Sequence, residues 1–267
     1  MTRPSLKNQR VLILIRFLGC LFRFPQALVT LKLNVFKLGQ RRTAMTDEQR
    51  KREFGINRKI IESSEVKFGP RTQHAYLVDP KHLLFTLSRY KFVSKMFEGY
   101  KNVLEIGCGD AFGTSLVAQT VEKVTATDLD NRFVIELKNT HAFSNKINFI
   151  AKDFINDCLN DDFDGAFCLD VLEHIPKELE NNFITNITKS LDINGDLIIG
   201  MPSLESQLYA SKISKEGHVN CKTTNELKKL MLNYFSKVFI FSMNDEILHT
   251  GFGPMSHYIF ALCVKKL

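Results

Sequence analysis

The chain has 267 residues, of which 44% are apolar and 24% are charged, so it can form one α/β domain with additions or two small domains. Its six cysteines are widely spread without a C-x-x-C pair, which argues against a disulfide framework or a zinc site and favours a reducing compartment. The net charge of +7 is concentrated in residues 1–44, which carry nine basic and no acidic residues, and the near-neutral remainder does not predict a nucleic-acid-binding surface.

Residues 1–44 are predicted to be a basic, apolar extension. Arg16, Arg23 and Pro25 divide its apolar stretch into pieces too short and too charged for a membrane-spanning helix. Three hypotheses fit: a basic amphipathic segment on an anionic membrane surface, an Arg-rich targeting peptide, or an upstream start codon, with Met45 opening the working protein. Composition does not separate them.

Residues 45–100 are predicted to form a helical cap or lid segment. Thr46 or Asp47 can cap a helix over Glu48–Ile61, and helical spacing returns over Leu83–Phe97. Breaks are expected at residues 69–70 and 79–80, where proline follows glycine or aspartate. The stretch between the breaks is either a surface loop or a lid, with the candidate lid residues Arg71, His74 and Tyr76.

Residues 101–267 alternate between strand-like and helix-like segments, which predicts a parallel sheet connected by crossovers. The predicted strands are 102–106, 123–127, 147–151, 165–169, 196–200, 237–243 and 257–264. The predicted helices are 113–120, 132–140, 153–159 and 176–190, with others near 204–213 and 225–233. The short link between the last two predicted strands favours antiparallel pairing of these strands.

A glycine turn follows the first predicted strand. Gly107 and Gly109 let the main chain turn sharply and approach a ligand, and a strand–turn–helix unit presents backbone N–H groups to a nucleotide-like molecule. Cys108 fits between them as a small residue rather than as a reactive thiol. Glu105 suits a cationic ligand end better than a pyrophosphate. S-adenosylmethionine has an ammonium and a sulfonium group, whereas NAD has neither.

Two further carboxylates close predicted strands. Asp128 lies 19 residues beyond Gly109, where it can accept both ribose hydroxyls, with Leu129 packed on adenine; the alternative is a helix-capping aspartate. Asp153 closes the third strand and can accept from an adenine amino group, with Phe154 near the ring, or can serve as an N-cap.

Asp170 ends the fourth predicted strand in the run Leu169-Asp170-Val171-Leu172-Glu173-His174-Ile175-Pro176. With Glu105-Ile106-Gly107-Cys108-Gly109 and Asp128, this run resembles the class I S-adenosylmethionine-dependent methyltransferases, and residues 172–176 are especially similar to the ubiquinone-biosynthesis O-methyltransferase group. The resemblance covers about residues 100–265. It implies a Rossmann-like, mostly parallel seven-stranded sheet with helices on both faces and the last strand antiparallel.

The resemblance also implies roles for individual residues. Glu105, Gly107 and Gly109 would line the methionine end of the cofactor, Asp128 would hold the ribose, Asp153 the adenine edge, and Asp170 the wall nearest the sulfonium. The sequence departs from the family at Ala111, where a third glycine is common; here Gly113 comes two residues later.

A hydroxyl acceptor also requires a group that removes a proton. The candidate bases are His218, His174 and Glu173, and His218 lies in a loop expected over the carboxyl ends of the strands. Either histidine can instead be structural. His249 and His257 are more typical of surface or packing positions. The sequence shows no metal-ligand cluster, so metal-independent chemistry is expected.

We therefore expect a cytoplasmic methyltransferase for a small-molecule or lipid-like acceptor, with oxygen as the favoured target atom, with no nucleic-acid partner and with residues 1–44 as a candidate peripheral membrane contact. One alternative is a nicotinamide-dependent oxidoreductase, which Phe112 at the third fingerprint position and Glu105 oppose. The other is a cofactor-binding scaffold without turnover.

Overall fold

The structure is a computed structural model that describes residues 45–63, 68–140 and 145–267. The chain divides into two compact units, Met1–Glu65 and Val66–Leu267. The described part of the first unit contains helix α1 (Asp47–Ser63), where the sequence predicts a helix. The predictions for residues 1–44 lie outside the described residues.

The second unit is built on an eight-stranded sheet. Its strands are β1 (Asn102–Ile106), β2 (Lys123–Asp128), β3 (Ile147–Ala151), β4 (Phe163–Leu169), β5 (Leu191–Pro202), β6 (Phe235–Asn244), β7 (Ile247–His249) and β8 (Tyr258–Lys266). They lie in the order β3-β2-β1-β4-β5-β8-β6-β7. Strands β1 to β5 pair in parallel, whereas β8 runs antiparallel between β5 and β6.

This topology confirms the predicted α/β class and the antiparallel last strand. The predicted count of seven strands is wrong by one, because β7 adds a short antiparallel strand to the edge strand β6. Three residues are too few to show the alternating pattern by which strands are recognised in a sequence.

Helices cover both faces of the sheet. They are α2 (Pro70–Val78), α3 (Lys81–Met96), α4 (Thr114–Ala118), α5 (Asn131–Thr140), α6 (Glu180–Ser190), α7 (Lys212–Gly217) and α8 (Thr224–Met231). Because side chains alternate along a strand, Val103 joins the core under α3, α4 and α5, whereas Leu104 and Ile106 join the core under α6 and α8. Burial on both faces explains the nearly continuous apolar pattern of β1.

Two predictions about the connections need correction. Residues 153–159 form turns and irregular backbone instead of a helix, since the Asp153 carboxylate accepts hydrogen bonds from the Ile155 N–H and the Asn156 side-chain amide and closes a local turn. Residues 70–78, for which a surface loop was one alternative, form α2. Pro70 opens this helix, at a position where no intrahelical N–H bond is lost.

The parallel register brings three strand ends together. Ile106 at the end of β1 is paired with Thr127 of β2 on one side and Cys168 of β4 on the other. The residues that follow these positions therefore meet at one edge of the sheet, where open α/β sheets bind ligands. Within the described part of the chain, no helix is both long enough and apolar enough to span a membrane.

Candidate active site

The turn after β1 has the backbone geometry that requires glycine. Gly107 has φ +80°, and a Cβ atom there would lie 2.3 Å from Cγ2 of Val171. Gly109 has φ +55°. The backbone N–H groups of Gly107 and Cys108 both donate to the carbonyl oxygen of Thr127 at 2.8 Å, which ties the turn to the end of β2. The turn is thus held by backbone bonds and is bare of side chains at its glycines.

Ala111 occupies a left-handed conformation with φ 55°, although it is not glycine. This conformation costs an L-residue about 1–2 kcal/mol. Glycine, which the resemblance leads one to expect here, would adopt this conformation without that cost. Ala111 is fully buried, so the surrounding core holds it in place.

Asp128 fixes the glycine turn from the end of β2. Its Oδ2 accepts the N–H of Gly109 at 2.8 Å, and its Oδ1 accepts the N–H of Asp130 at 2.9 Å. Each carboxylate oxygen has two lone pairs, so these bonds leave acceptor capacity for ligand hydroxyls. Leu129 beside it is 71% exposed and is available to pack against a ring.

Glu105 is a buried carboxylate directly before the turn, and it is 1% exposed. The Tyr90 hydroxyl of α3 donates to Oε1 at 2.7 Å, whereas Oε2 is buried with no hydrogen-bond partner among the described residues. Burial raises the pKa of Glu105 to about 7, against the opposing effect of the nearby Thr114 and Tyr90 hydroxyls. A ligand cation placed against Oε2 would supply the missing partner.

Cys108 is buried between the two glycines. Burial raises the pKa of its thiol, which leaves little thiolate and little reactivity. The thiol therefore fits the predicted role of a small packing residue, and the backbone N–H is the polar group it offers to the turn.

Helix α2 is anchored to the glycine turn through Asp110. Its carboxylate accepts the backbone N–H of Thr72 at 2.7 Å and the Thr72 hydroxyl at 2.9 Å. Beside this contact, Arg71 lies with its guanidinium 5.3 Å from the centre of the Phe133 ring. A cavity of about 200 Å³ lies between α2, α3 and the turn, and its lining includes Arg71, Thr72, Tyr90, Gly107, Gly109 and Asp170. His74 and Tyr76, the other candidate lid residues, are exposed on α2.

The structure corrects one candidate at the end of β3. Phe154 is 3% exposed and belongs to the core under α6 and α8, so its ring has no open face for adenine. Asp153 is half-buried and its oxygens close the local turn with Ile155 and Asn156.

Asp170 follows β4 with φ 57° and pairs with Arg89 of α3. The Nη1 atom of Arg89 donates to both carboxylate oxygens, at 3.0 and 2.8 Å, and the guanidinium lies 3.9 Å from the centre of the Tyr258 ring. Burial, the largest single effect, opposes the charge of Arg89, but Asp170, Tyr258 and Glu173 together outweigh it and raise the arginine pKa above its ordinary value. Asp170, which is expected to form the wall nearest the sulfonium, is thus held in an ion pair that connects α3 to the end of β4.

Glu173, His174 and His218 come together beside Asp170. Each offers one possible ligand atom, and these atoms lie within 4.8 Å of one another. The two imidazole rings meet edge to face with centroids 5.1 Å apart. The expectation that the chain contains no metal-ligand cluster is therefore wrong, because the folded chain brings three possible ligand atoms together. Linear spacing hides the group, since His218 follows α7, far along the chain from the short 3₁₀ turn Leu172–His174.

The two remaining histidine candidates lie away from this group in the chain's terminal strands. His257 forms a 3.7 Å ion pair with Asp245 when it is protonated, and both side chains are mostly exposed. His249 accepts the N–H of Gly251 at 3.0 Å. Both contacts agree with the surface and packing roles expected for them.

Comparisons with known proteins agree with this geometry. Residues 103–195 match a protein-family model described as a methyltransferase domain. No curated protein matches the sequence. Residues 103–195 are therefore similar to a methyltransferase domain, and the comparisons support S-adenosylmethionine as its cofactor.

Solved structures show the same fold as this methyltransferase domain. The methyltransferase domain of bacterial CtHen1 aligns with a TM-score of 0.56 at 15% identity, covering 67% of this chain and 98% of that one. NodS, an N-methyltransferase from Bradyrhizobium japonicum WM9 solved with S-adenosyl-L-homocysteine, aligns with a TM-score of 0.51 at 16% identity, covering 78% and 97%. A complex of the Haloferax volcanii Trm112 methyltransferase activator with a methyltransferase gives 0.55 at 11% identity, covering 73% and 93%.

The site of the methyltransferase domain fits the charge and shape of S-adenosylmethionine. The unpartnered, buried Oε2 of Glu105 suits an ammonium group, and glycine is required at 107 because a Cβ there would overlap Val171. Residues that sequence analysis missed complete this site. Thr72, Arg89 and Tyr90 all come from helices that precede the sheet, and no motif marks them, because their partners are at least 15 residues away.

Proposed function

We propose that this methyltransferase domain transfers a methyl group from S-adenosylmethionine to an oxygen atom of a small-molecule or lipid-like acceptor. The observation that carries the proposal is the buried Glu105 carboxylate, with one unpartnered oxygen, directly before the bare turn at Gly107. A pyrophosphate would be repelled there, whereas a cationic amino-acid end would complete the hydrogen bonding.

Each strand end has one role in holding the cofactor. Glu105 with the turn at Gly107 and Gly109 binds the methionine end, and Asp128 accepts the ribose hydroxyls with its remaining lone pairs. Leu129 packs on the adenine, and Asp153 faces its edge. Asp170 forms the wall near the sulfur, held in place by Arg89.

S-adenosylmethionine, when bound, supplies a methyl group on a positively charged sulfur. The chain must then exclude water, align the acceptor and receive its proton. Helix α2 closes over the cavity through the contact of Asp110 with Thr72. Beyond Asp170, His218 and His174 are the groups in position to receive a proton. Burial and the neighbouring His174 lower the pKa of His218, which favours its neutral form at neutral pH.

An apolar acceptor is favoured by the segment that carries His218. Leu208 and Tyr209 directly follow the histidine's partner Gln207, and Ile213 lies in helix α7. Their side chains are 78%, 88% and 82% exposed, respectively. Large apolar side chains on the acceptor side suit a lipid-like or aromatic molecule better than a sugar or a nucleic acid. The similarity of residues 172–176 to the ubiquinone-biosynthesis group supports the same acceptor class.

The test is a tritiated-methyl assay of the full chain on host extract, with the labelled product identified by mass spectrometry. We expect the label in an apolar small molecule as a methyl ether. The surface variant His257→Gln should label the same product at the same rate. Label in protein or nucleic acid, or an N-methyl product, would contradict the proposed acceptor while leaving cofactor binding intact.

A further inference from the structure

A long loop on the acceptor side of the site is closed at its base. Residues 204–221, which we call the acceptor loop, connect β5 to α8 and contain α7 and His218. The residues that flank the loop, Ser203 and Lys222, lie side by side in a parallel β-bridge. The N–H of Leu204 donates to the carbonyl oxygen of Lys222 at 2.9 Å. The loop therefore leaves the sheet and returns to it at one point, and its position is set there.

A buried ion pair lies at this base. Nζ of Lys222 lies 2.5 Å from Oε2 of Glu180, in the first turn of α6, and donates to Oδ1 of Asn220 at 2.9 Å. The side-chain amide of Asn220 donates to the same Glu180 oxygen at 2.8 Å. The three residues, which we call the buried triad, are at most 6% exposed. Each side chain of the triad thus contacts the other two.

The energetics of the buried triad favour a role in positioning over a role in stability. Taking an ammonium and a carboxylate out of water is costly, and their attraction and hydrogen bonds do little more than offset that cost. Apolar side chains of similar volume would fill the same space without it. Hydrophobic packing has no preferred direction, however, whereas three mutual hydrogen bonds fix residues 220–222 against the start of α6.

The buried triad determines where the acceptor loop meets the turn after β4. The backbone N–H of Asn220 donates to the carbonyl oxygen of Glu173 at 2.9 Å, and Nδ1 of His174 donates to the carbonyl oxygen of Gly217 at 2.8 Å. His218 stands between these two contacts in the chain. Neither contact involves a residue assigned to the cofactor. A shift at residues 220–222 would therefore move the acceptor side of the site and leave the cofactor side in place.

We propose that Glu180, Asn220 and Lys222 are positioning residues that hold the acceptor loop in register with the methyl donor and so determine which acceptor fits. The inference rests on the proposed function for the identity of the donor. The exposed Leu208 and Tyr209, which are proposed to suit an apolar acceptor, belong to this loop and move with it. The buried triad acts through the loop, so it affects acceptor binding and leaves cofactor binding unchanged.

A single substitution tests the buried ion pair. Lys222→Met leaves the Glu180 carboxylate buried without its cation and should lower the urea midpoint of the full chain. Lys177→Met is the matched control, because Lys177 lies 3.7 Å from the other Glu180 oxygen but its side chain is 73% exposed. The control should unfold at the native urea concentration. Equal midpoints in the two variants would contradict the buried pair.

A triple substitution separates positioning from stability. Glu180→Met, Asn220→Leu and Lys222→Met, combined in one chain, replace the triad by apolar side chains and should restore the native urea midpoint. Hydrogen exchange of the acceptor loop, followed by mass spectrometry, should still be about tenfold faster than in the native chain. The affinity for S-adenosylhomocysteine should be unchanged. The host-extract concentration that gives half-maximal transfer from tritiated S-adenosylmethionine should rise by about 10–100-fold.

Three results would overturn the positioning role. The first is native hydrogen exchange of the acceptor loop in the triple variant, and the second is a native half-maximal extract concentration. The third is a lower urea midpoint with faster exchange throughout the chain, which would make the triad a stabilising element alone. Failure of the native chain to bind S-adenosylhomocysteine would instead reject the proposed function, and the exchange measurement would still decide the role of the triad.

Discussion

The cofactor side and the acceptor side of the site are built in different ways. On the cofactor side, Glu105, Gly107 and Gly109 are near neighbours in the chain, and parallel pairing brings Asp128 to them. On the acceptor side, Arg89 meets Asp170 from 81 residues away, and His174 contacts Gly217 across 43 residues. Local backbone geometry therefore determines the cofactor side, whereas tertiary packing determines the acceptor side.

The largest effect should come from closing the bare turn. Gly107→Ala places a Cβ 2.3 Å from Val171 in a left-handed backbone conformation, so both strain and overlap oppose the binding geometry. We expect affinity for S-adenosylhomocysteine to fall by about 100-fold, measured by isothermal titration calorimetry.

Gly99→Ala is the control for Gly107→Ala. Gly99 has a similar φ of +87°, but a Cβ there meets nothing within 4 Å. It should lose about 1 kcal/mol of stability and keep its affinity. Equal losses of affinity in both variants would show that backbone strain alone, and not the overlap with Val171, explains the effect.

A smaller effect is expected from neutralising Glu105. Glu105→Gln removes the charge beside a cationic ligand, and affinity for S-adenosylhomocysteine should fall by about 30-fold at pH 8. Glu98→Gln, which changes an exposed carboxylate paired with Lys95, is the control and should bind normally.

The pH dependence sharpens the test of Glu105. Because its pKa is about 7 in the ligand-free protein, binding a cation requires loss of a proton below that pH. Native affinity should therefore rise by up to about tenfold per pH unit below pH 7 and level off above it, whereas Glu105→Gln should lack this dependence. A native affinity that is flat from pH 5.5 to 7.5 would contradict the assignment.

The raised pKa of Glu105 also predicts that the free energy of unfolding falls as pH rises, whereas ligand affinity rises. The folded pKa lies above the ordinary value of 4.5, so the folded ligand-free protein holds a proton that the unfolded chain releases. Stability should fall by about 3 kcal/mol as pH rises from 4.5 through 7, and Glu105→Gln should abolish that loss. Urea unfolding at several pH values measures it.

The smallest effect should come from the contact of α2 with the turn. Asp110→Asn loses the charge-assisted bonds to Thr72, and we expect affinity for S-adenosylhomocysteine to fall by about tenfold, chiefly through faster dissociation. Asp79→Asn, which changes the carboxylate at the other end of α2, is the control. Stopped-flow displacement measures the dissociation rate. The same rate in Asp110→Asn and in the native chain would show that α2 does not cover the ligand.

The sequence predicted the strand ends well because their signals are local. Strands β1 and β3 have the predicted bounds; β1 is buried on both faces, whereas the edge strand β3 has buried and exposed residues. Phe154 was misassigned because an apolar residue after a strand can face either the core or a ligand. The helix predicted over residues 153–159 is absent because the Asp153 carboxylate closes a local turn, which helical spacing in the sequence does not reveal.

The contacts that complete the site depend on tertiary structure. Nothing in the spacing of Arg89 and Tyr90 indicates that they reach Asp170 and Glu105. The same holds for His174 and His218, whose rings meet edge to face and whose Nδ1 atoms bond Gly217 and Gln207. Sequence analysis named both histidines as candidate bases but could not place them beside Glu173 as a group.

The most direct test of the account is a pair of calorimetric titrations of the full chain, one with S-adenosylhomocysteine and one with NADH. We predict one S-adenosylhomocysteine per chain, no NADH binding, and loss of S-adenosylhomocysteine binding in Asp128→Ala, since this residue holds the turn and is proposed to hold the ribose. A folded protein that binds NADH instead, or an Asp128→Ala variant with native affinity, would contradict the account.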